Sequence, residues 1–132
     1  MPFGTATVIT NAGKGVAAKR MLGATPAQAE PKYIAIGTGA TGAARTAVAA
    51  DTALSTEVET RAAGTGSTVT TTQTNDTFQE VGTVTATGAR AVDEAGLFDA
   101  ASAGNMFMSA TFAVINLANG DSLQLTMKCQ FT

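Results

Sequence analysis

The alternation of apolar and polar positions is sharpest at the C-terminal end of the chain. Leu123, Leu125, Met127, Cys129 and Phe131 interleave with Gln124, Thr126, Lys128, Gln130 and Thr132. Successive side chains of a strand point to opposite faces, so this segment predicts a strand with one buried and one wet face. Ahead of it, Asn119-Gly120 predicts a type I′ hairpin turn, because both residues tolerate positive φ. Residues 105–117 predict a second strand, with Met106, Met108, Ala110 and Phe112 on one face. Residues 91–98 predict a third, closed by the small-residue turn 99–104. Together these predict three strands of one antiparallel sheet, a β-meander.

Upstream the pattern is more broken. Residues 3–10 are β-prone and predict an edge strand or an arm reaching onto a neighbour. Asn11 reads as the N-cap of a helix over 12–22, with Ala17 and Met21, and Ala18 and Leu22, at the spacing of one face. Lys19 and Arg20 suit its last turn, and Gly23 its stop. Gly13 and Gly15 oppose it, each costing about 1 kcal/mol relative to Ala. Residues 33–36 predict a buried strand, 43–54 a loop or short helix with Asp51-Thr52 resembling a cap, and 57–63 a strand. A turn over 64–67, a polar strand over 68–73 and a turn at Asn75-Asp76 lead into a long strand over 77–88. In that strand Gly82 marks a bulge or a close backbone approach. Short strands separated by turn signals predict a mainly β fold, an antiparallel β-sandwich or barrel-like single domain over 1–132 with one short N-terminal helix. Residues 1–10 are its possible N-terminal arm.

Composition narrows the partners. Charged residues are only 14% of the chain, which suits a surface partly covered by other subunits, and the net charge of −2 offers no footprint for nucleic acid. No apolar run approaches the roughly 20 residues that span a bilayer, so no membrane is expected. The single cysteine, Cys129, falls on the apolar face of its strand and is read as a buried, inert thiol.

Candidate chemistry is sparse. Gly37-Thr38-Gly39-Ala40-Thr41-Gly42 satisfies G-x-G-x-x-G, and a dinucleotide site would place Glu57 or Glu59 on a ribose. Such a site needs a crossover helix and a second parallel strand, whereas Ala/Thr-rich sequence and antiparallel patterning follow. The glycines are read as a turn leaving a strand, with no cofactor and no small-molecule substrate. The chain has no histidine, which removes Ser-His and Cys-His nucleophile systems and the commonest transition-metal ligand, so no metal is expected. Carboxylate pairs for glycoside hydrolysis would come from Asp93 with Glu94, Glu57 with Glu59, or Asp99. Adjacent strand residues face opposite sides, so Asp93 and Glu94 are not expected to flank one bond. Glu57 and Glu59 share a face beside Arg61, which more simply makes an ion pair. With no tryptophan there is little platform for a sugar, which also weakens a glycan-binding reading. No catalytic residue is expected, and the chain is read as not an enzyme. Glu94 has apolar neighbours on both faces and needs a partner; Arg61 is the first candidate, and a solvated edge position is the alternative.

Several motifs carry a family resemblance. Thr10-Asn11-Ala12-Gly13, Tyr33-Ile34-Ala35-Ile36-Gly37-Thr38-Gly39, and Asp51-Thr52-Ala53-Leu54 with Glu57 and Arg61 resemble small tailed-phage structural proteins. So do Glu94-Ala95-Gly96-Leu97-Phe98-Asp99, Asn116-Leu117 and Gly120-Asp121-Ser122-Leu123. The chain is most similar to capsid decoration (cement) proteins, and Glu-x-Gly-x-Phe strands also resemble tail-fibre and collar proteins. The resemblance implies a β-sandwich that assembles as a homotrimer on the capsid surface of the virion, with the major capsid protein as partner, stapling capsomers together. The alternative is a tail-fibre or collar/baseplate subunit. Apolar, charge-poor stretches at 1–10 and 37–50 are the expected contact surfaces, with Phe3, Thr5, Val8, Ile9, Thr38, Ala40 and Thr41 as contact residues. Arg61 and Glu94 are the expected structural polar pair.

Overall fold

The computed structural model describes residues 6–23 and 29–132. Strand β1 (Ala6–Ile9) leads into helix α1 (Asn11–Met21), and seven further strands follow: β2 (Tyr33–Thr38), β3 (Thr56–Ala63), β4 (Thr65–Val69), β5 (Thr77–Thr85), β6 (Arg90–Phe98), β7 (Met106–Leu117) and β8 (Ser122–Gln130). They form a five-stranded sheet in the order β1-β7-β6-β2-β3 and a three-stranded sheet in the order β4-β5-β8, with every pairing antiparallel. β3 and β4 are separated only by Gly64, so one run of chain turns the corner from the larger sheet to the smaller. Ile34, Ile36, Val92, Leu97 and Met108 of the larger sheet meet Val84, Met127 and Cys129 of the smaller in a shared core. The fold is mainly β, a two-sheet sandwich with one short N-terminal helix.

The C-terminal meander is not formed. β8 pairs with β5, from Thr77↔Gln130 to Thr85↔Ser122, and so lies in the other sheet from β6 and β7. In the connecting turn only Gly120 has positive φ, whereas type I′ requires two such residues. The turn fastens instead to the end of β5: Gly120 N–H donates to the Ala86 carbonyl, and Ala86 N–H to that of Asp121. An Asn-Gly pair reverses the chain without choosing which sheet receives it. The period-two reading of β8 itself holds, with Met127 and Cys129 buried and Gln124, Thr126 and Lys128 exposed, while Phe131 lies past the strand and is 56% exposed. Burial pushes the Cys129 thiol pKa up.

β6 and β7 show no alternation where they are most buried, because both faces of the larger sheet are covered there. The smaller sheet covers one face. Residues 39–55 cover the other, with Leu54 packed against Ala35, Phe98 and Met106 in a second cluster. A register shift at Leu97/Phe98 moves Met106 into that cluster, away from Met108, Ala110 and Phe112, and Phe107 joins the main core instead.

The helix begins one residue earlier than its sequence suggests. Thr10, not Asn11, is the cap: its hydroxyl oxygen accepts from Gly13 N–H at 3.1 Å, and its O–H donates to the Met106 carbonyl. The buried face is Gly13 and Val16, whereas Met21 and Leu22 are 80% and 82% exposed. Gly13 is required by close approach, since a Cβ there would lie 2.4 Å from the Phe107 carbonyl oxygen; nothing in the structure requires glycine at 15. Further along, 65–69 form β4 rather than a turn, and the reversal falls at 70–76. There Asp76 accepts N–H groups from Thr71, Thr72 and Gln73, which hold its carboxyl far below the usual range, that of Gln73 first. Gly82 marks a close approach, with Ile34 Cδ1 3.0 Å from where a Cβ would stand.

Candidate functional site

Residues 39–55 are strapped to the outer face of the larger sheet by a polar network that is almost wholly internal. Opposite the single residue Asp93, β7 carries three residues, 112–114, so the register is irregular where the carboxylates sit. Asp93 accepts N–H bonds from Ala40 (3.1 Å) and Gly42 (2.9 Å). Glu94, 0% exposed, accepts from Thr56 N–H at 3.0 Å and from Arg45 Nη2 at 2.8 Å. Both carboxylates therefore engage the same segment, contrary to the expectation that they part to opposite sides. Arg45 Nη1 reaches Asp51 at 3.1 Å, and Asp51 also accepts from Ser109 Oγ and Val48 N–H. Burial alone would raise the Asp51 carboxyl pKa, but those donors outweigh it and hold it below its usual value. Arg45 shows the mirror balance, its pKa raised by Glu94 and Asp51 against the effect of burial. Ala47 N–H donates to Thr111 Oγ1, and Ala49 O accepts from Asn11 N–H.

Arg61 is not the partner of Glu94. It pairs with Glu57 through two bonds, Nε to Oε1 at 2.7 Å and Nη2 to Oε2 at 2.9 Å. Its guanidinium stacks 3.6 Å from the Phe98 ring centroid and donates to the Ala100 and Ala103 carbonyls. Phe98 and Glu94 are four residues apart on β6, roughly 13 Å at about 3.3 Å per residue, so one guanidinium does not serve both. Glu59, in the left-handed region at φ 64°, pairs with Arg90 at 2.6 Å rather than with Arg61. Asp99 receives the backbone and side-chain N–H groups of Asn105. Arg45 was missed by sequence reasoning, yet a signal was present. Arg45 and Asp51 are the only charged residues between 33 and 56, in a segment otherwise read as Ala/Thr-rich loop.

The glycine motif serves this network. β2 lies antiparallel between β6 and β3, with no crossover helix after it. A Cβ on Gly37 would stand 2.6 Å from Glu94 Oε1, so glycine there leaves room for the carboxylate. Gly39 has φ +109° and carries the chain out of the strand.

A groove of about 760 Å³ runs along β8, the edge of the smaller sheet. Leu123, Leu125 and Met127 line it with Ala95 and Ala110 of the larger sheet and Thr7 of β1, and Gln124, Thr126 and Lys128 supply polar groups. No strand pairs with the outer edge of β8 among the described residues.

The expected contact residues are divided by the structure. Phe3 and Thr5 lie outside the described residues. Val8 and Ile9 are half-buried within β1, paired with Ser109 and Met108, so from Ala6 onward the segment is an edge strand and not a free arm. Thr38 is half-buried and Thr41 exposed, but Ala40 is 0% exposed and offers a partner no surface. Among the described residues no three His, Cys, Asp or Glu side chains cluster as metal ligands, and no helix is long and apolar enough to cross a membrane. No protein-family model, curated protein or solved structure significantly matches the chain.

Proposed function

We propose that this chain is a viral structural protein, a capsid decoration protein that binds the assembled shell and staples capsomers together. The observation that carries the reading is the employment of its carboxylates. Asp93, Glu94, Glu57, Glu59 and Asp99, the groups weighed for acid–base chemistry, each hold a loop or a cation of the fold itself. The chemistry of these five is thus spent on rigidity, while the groove along β8 offers mixed apolar and polar surface beside a strand edge unpaired among the described residues, the make-up of a protein-docking surface. A clamp of this kind stabilises a shell by binding the assembled state and not the dissociated subunits, and several linked copies multiply a modest contact. The major capsid protein is the proposed partner, with a homotrimer as the assembling unit.

The test adds the protein to capsids that lack it and measures the temperature and osmotic shock they survive. Increased survival is the expected result. Capsids equally fragile with and without the protein would sink the decoration role and favour a tail-fibre or collar subunit.

A further inference from the structure

Among the described residues one buried carboxylate oxygen has no hydrogen-bond partner. Glu80 on β5 is 1% exposed, and no described residue donates to its Oε1. Burial, and then the charge of Glu30, push its pKa up against the opposing pull of Lys32. The backbone is shaped around it: a Cβ on Gly64 would lie 2.5 Å from Oε1, and one on Gly66 2.8 Å from Oε2. The carboxyl lines a surface pocket of about 410 Å³ with Phe78, Ser67, Thr68, Pro31 and the exposed Glu30. One aromatic wall, two hydroxyls and two carboxylates suit an alkyl cation, whose stem lies on the ring and whose head meets the acid. No third acidic or imidazole ligand joins them among the described residues, which favours an organic cation over a metal ion. Lys32, also at the pocket, is turned to Glu30 at 3.9 Å.

The chain carries the complementary group elsewhere. Lys19 and Arg20, in the last turn of α1, are exposed and make no ion pair among the described residues. Met21 and Leu22 follow them, the two most exposed large apolar side chains described. We propose that the Glu80 pocket receives this turn from a second copy of the chain, with Lys19 or Arg20 against Glu80 and Met21 and Leu22 against Phe78 and Pro31. Association then adds a second cation at a carboxylate that the single chain meets with the charge of Lys32 but, among the described residues, with no hydrogen bond to Oε1. A knob on one surface entering a pocket on another is a heterologous contact unless it is returned across a two-fold, and a heterologous contact closes into a ring when its rotation permits. The inference deepens the assembly reading above and rests on it for the purpose of the ring.

Sedimentation of the full chain over a range of concentrations tests it, with Lys19→Glu/Arg20→Glu and Thr68→Trp as variants at exposed positions and Glu80→Gln as a third. The unmodified chain assembles with rising concentration. Each variant weakens assembly by about 30-fold or more, the effect of removing one partner of a desolvated charge pair or blocking its pocket. Circular dichroism shows the dissociated variants folded, and Glu80→Gln melting no lower than the parent. A chain that stays monomeric, or a Lys19→Glu/Arg20→Glu variant that assembles as the parent does, overturns the proposal. A monomer that still protects capsids would sink this interface alone. Intact assembly without capsid protection would sink only the capsid role.

Discussion

Arg45→Met removes the cation at the centre of the strap and leaves its apolar stem. Glu94 has no exposed side-chain surface, and in the variant its Oε2 loses Arg45 while Oε1 keeps the Thr56 N–H. Breaking a buried pair by removing one partner costs about 3–5 kcal/mol, because a charge is left uncompensated. The Arg45 side chain is 28% exposed, so water reaches the vacated space and the lower end, about 3 kcal/mol, is expected. Asp51 loses the same guanidinium but retains Ser109 and Val48. At about 2.1 cal/mol/K per residue, the unfolding entropy of a chain this size is roughly 0.28 kcal/mol/K, so Tm should fall by about 10 °C. Calorimetric melts of Arg45→Met, Glu94→Gln and the double variant close a cycle, with an expected coupling of about 1–3 kcal/mol. An Arg45→Met protein melting within about 2 °C of the parent, or a coupling near zero, would refute the view that this pair holds the strap down.

Other outcomes follow from the same geometry. Met127→Asp places a charge in the core and should cost more than about 3 kcal/mol, whereas Gln124→Asp on the wet face should stay within about 0.5 kcal/mol; equal denaturant midpoints would refute the register of β8. Glu80→Gln should stabilise the single chain at pH 7. With its folded pKa raised, Glu80 costs the native state progressively as pH rises above the ordinary value of 4.5, so the advantage should vanish in melts below that pH. A difference that persists in acid would show that charge is not the cause. Thr10→Ala removes the α1 cap and its tie to Met106, and should lower stability by about 1–2 kcal/mol, read from urea unfolding. An unchanged midpoint would show that the cap contributes nothing.

Period-two and turn signals made most strands legible. β6, β7 and β8 fall within a residue or two of the segments their sequence predicts, and Gly82 and Asn75-Asp76 act as read. Sheet membership was not legible, because pattern fixes which face of β8 is buried but not whether β5 or β7 supplies its hydrogen bonds. The helix face was misread for a related reason: Gly13 contributes contact through its missing side chain, which no hydrophobic period records. Glu94 was rightly singled out as a carboxylate in need of a partner. Choosing between Arg45 and Arg61 required the fold of residues 39–55, a long-range matter that local spacing does not encode. Glu80 escaped notice because its strand reads as half-polar, with Gln79 and Glu80 together. Its inward turn shows in the core-facing positions two and four residues away, Phe78 and Val84, and in the close approach of Gly64 and Gly66.

The most direct test of the proposed role is an image of the intact virus particle at a resolution that places this fold. The account predicts the two-sheet sandwich on the outside of the capsid, in a copy number fixed by icosahedral symmetry and in contact with the major capsid protein between capsomers. The same density found only on the tail or collar, or absent from the particle, would contradict it.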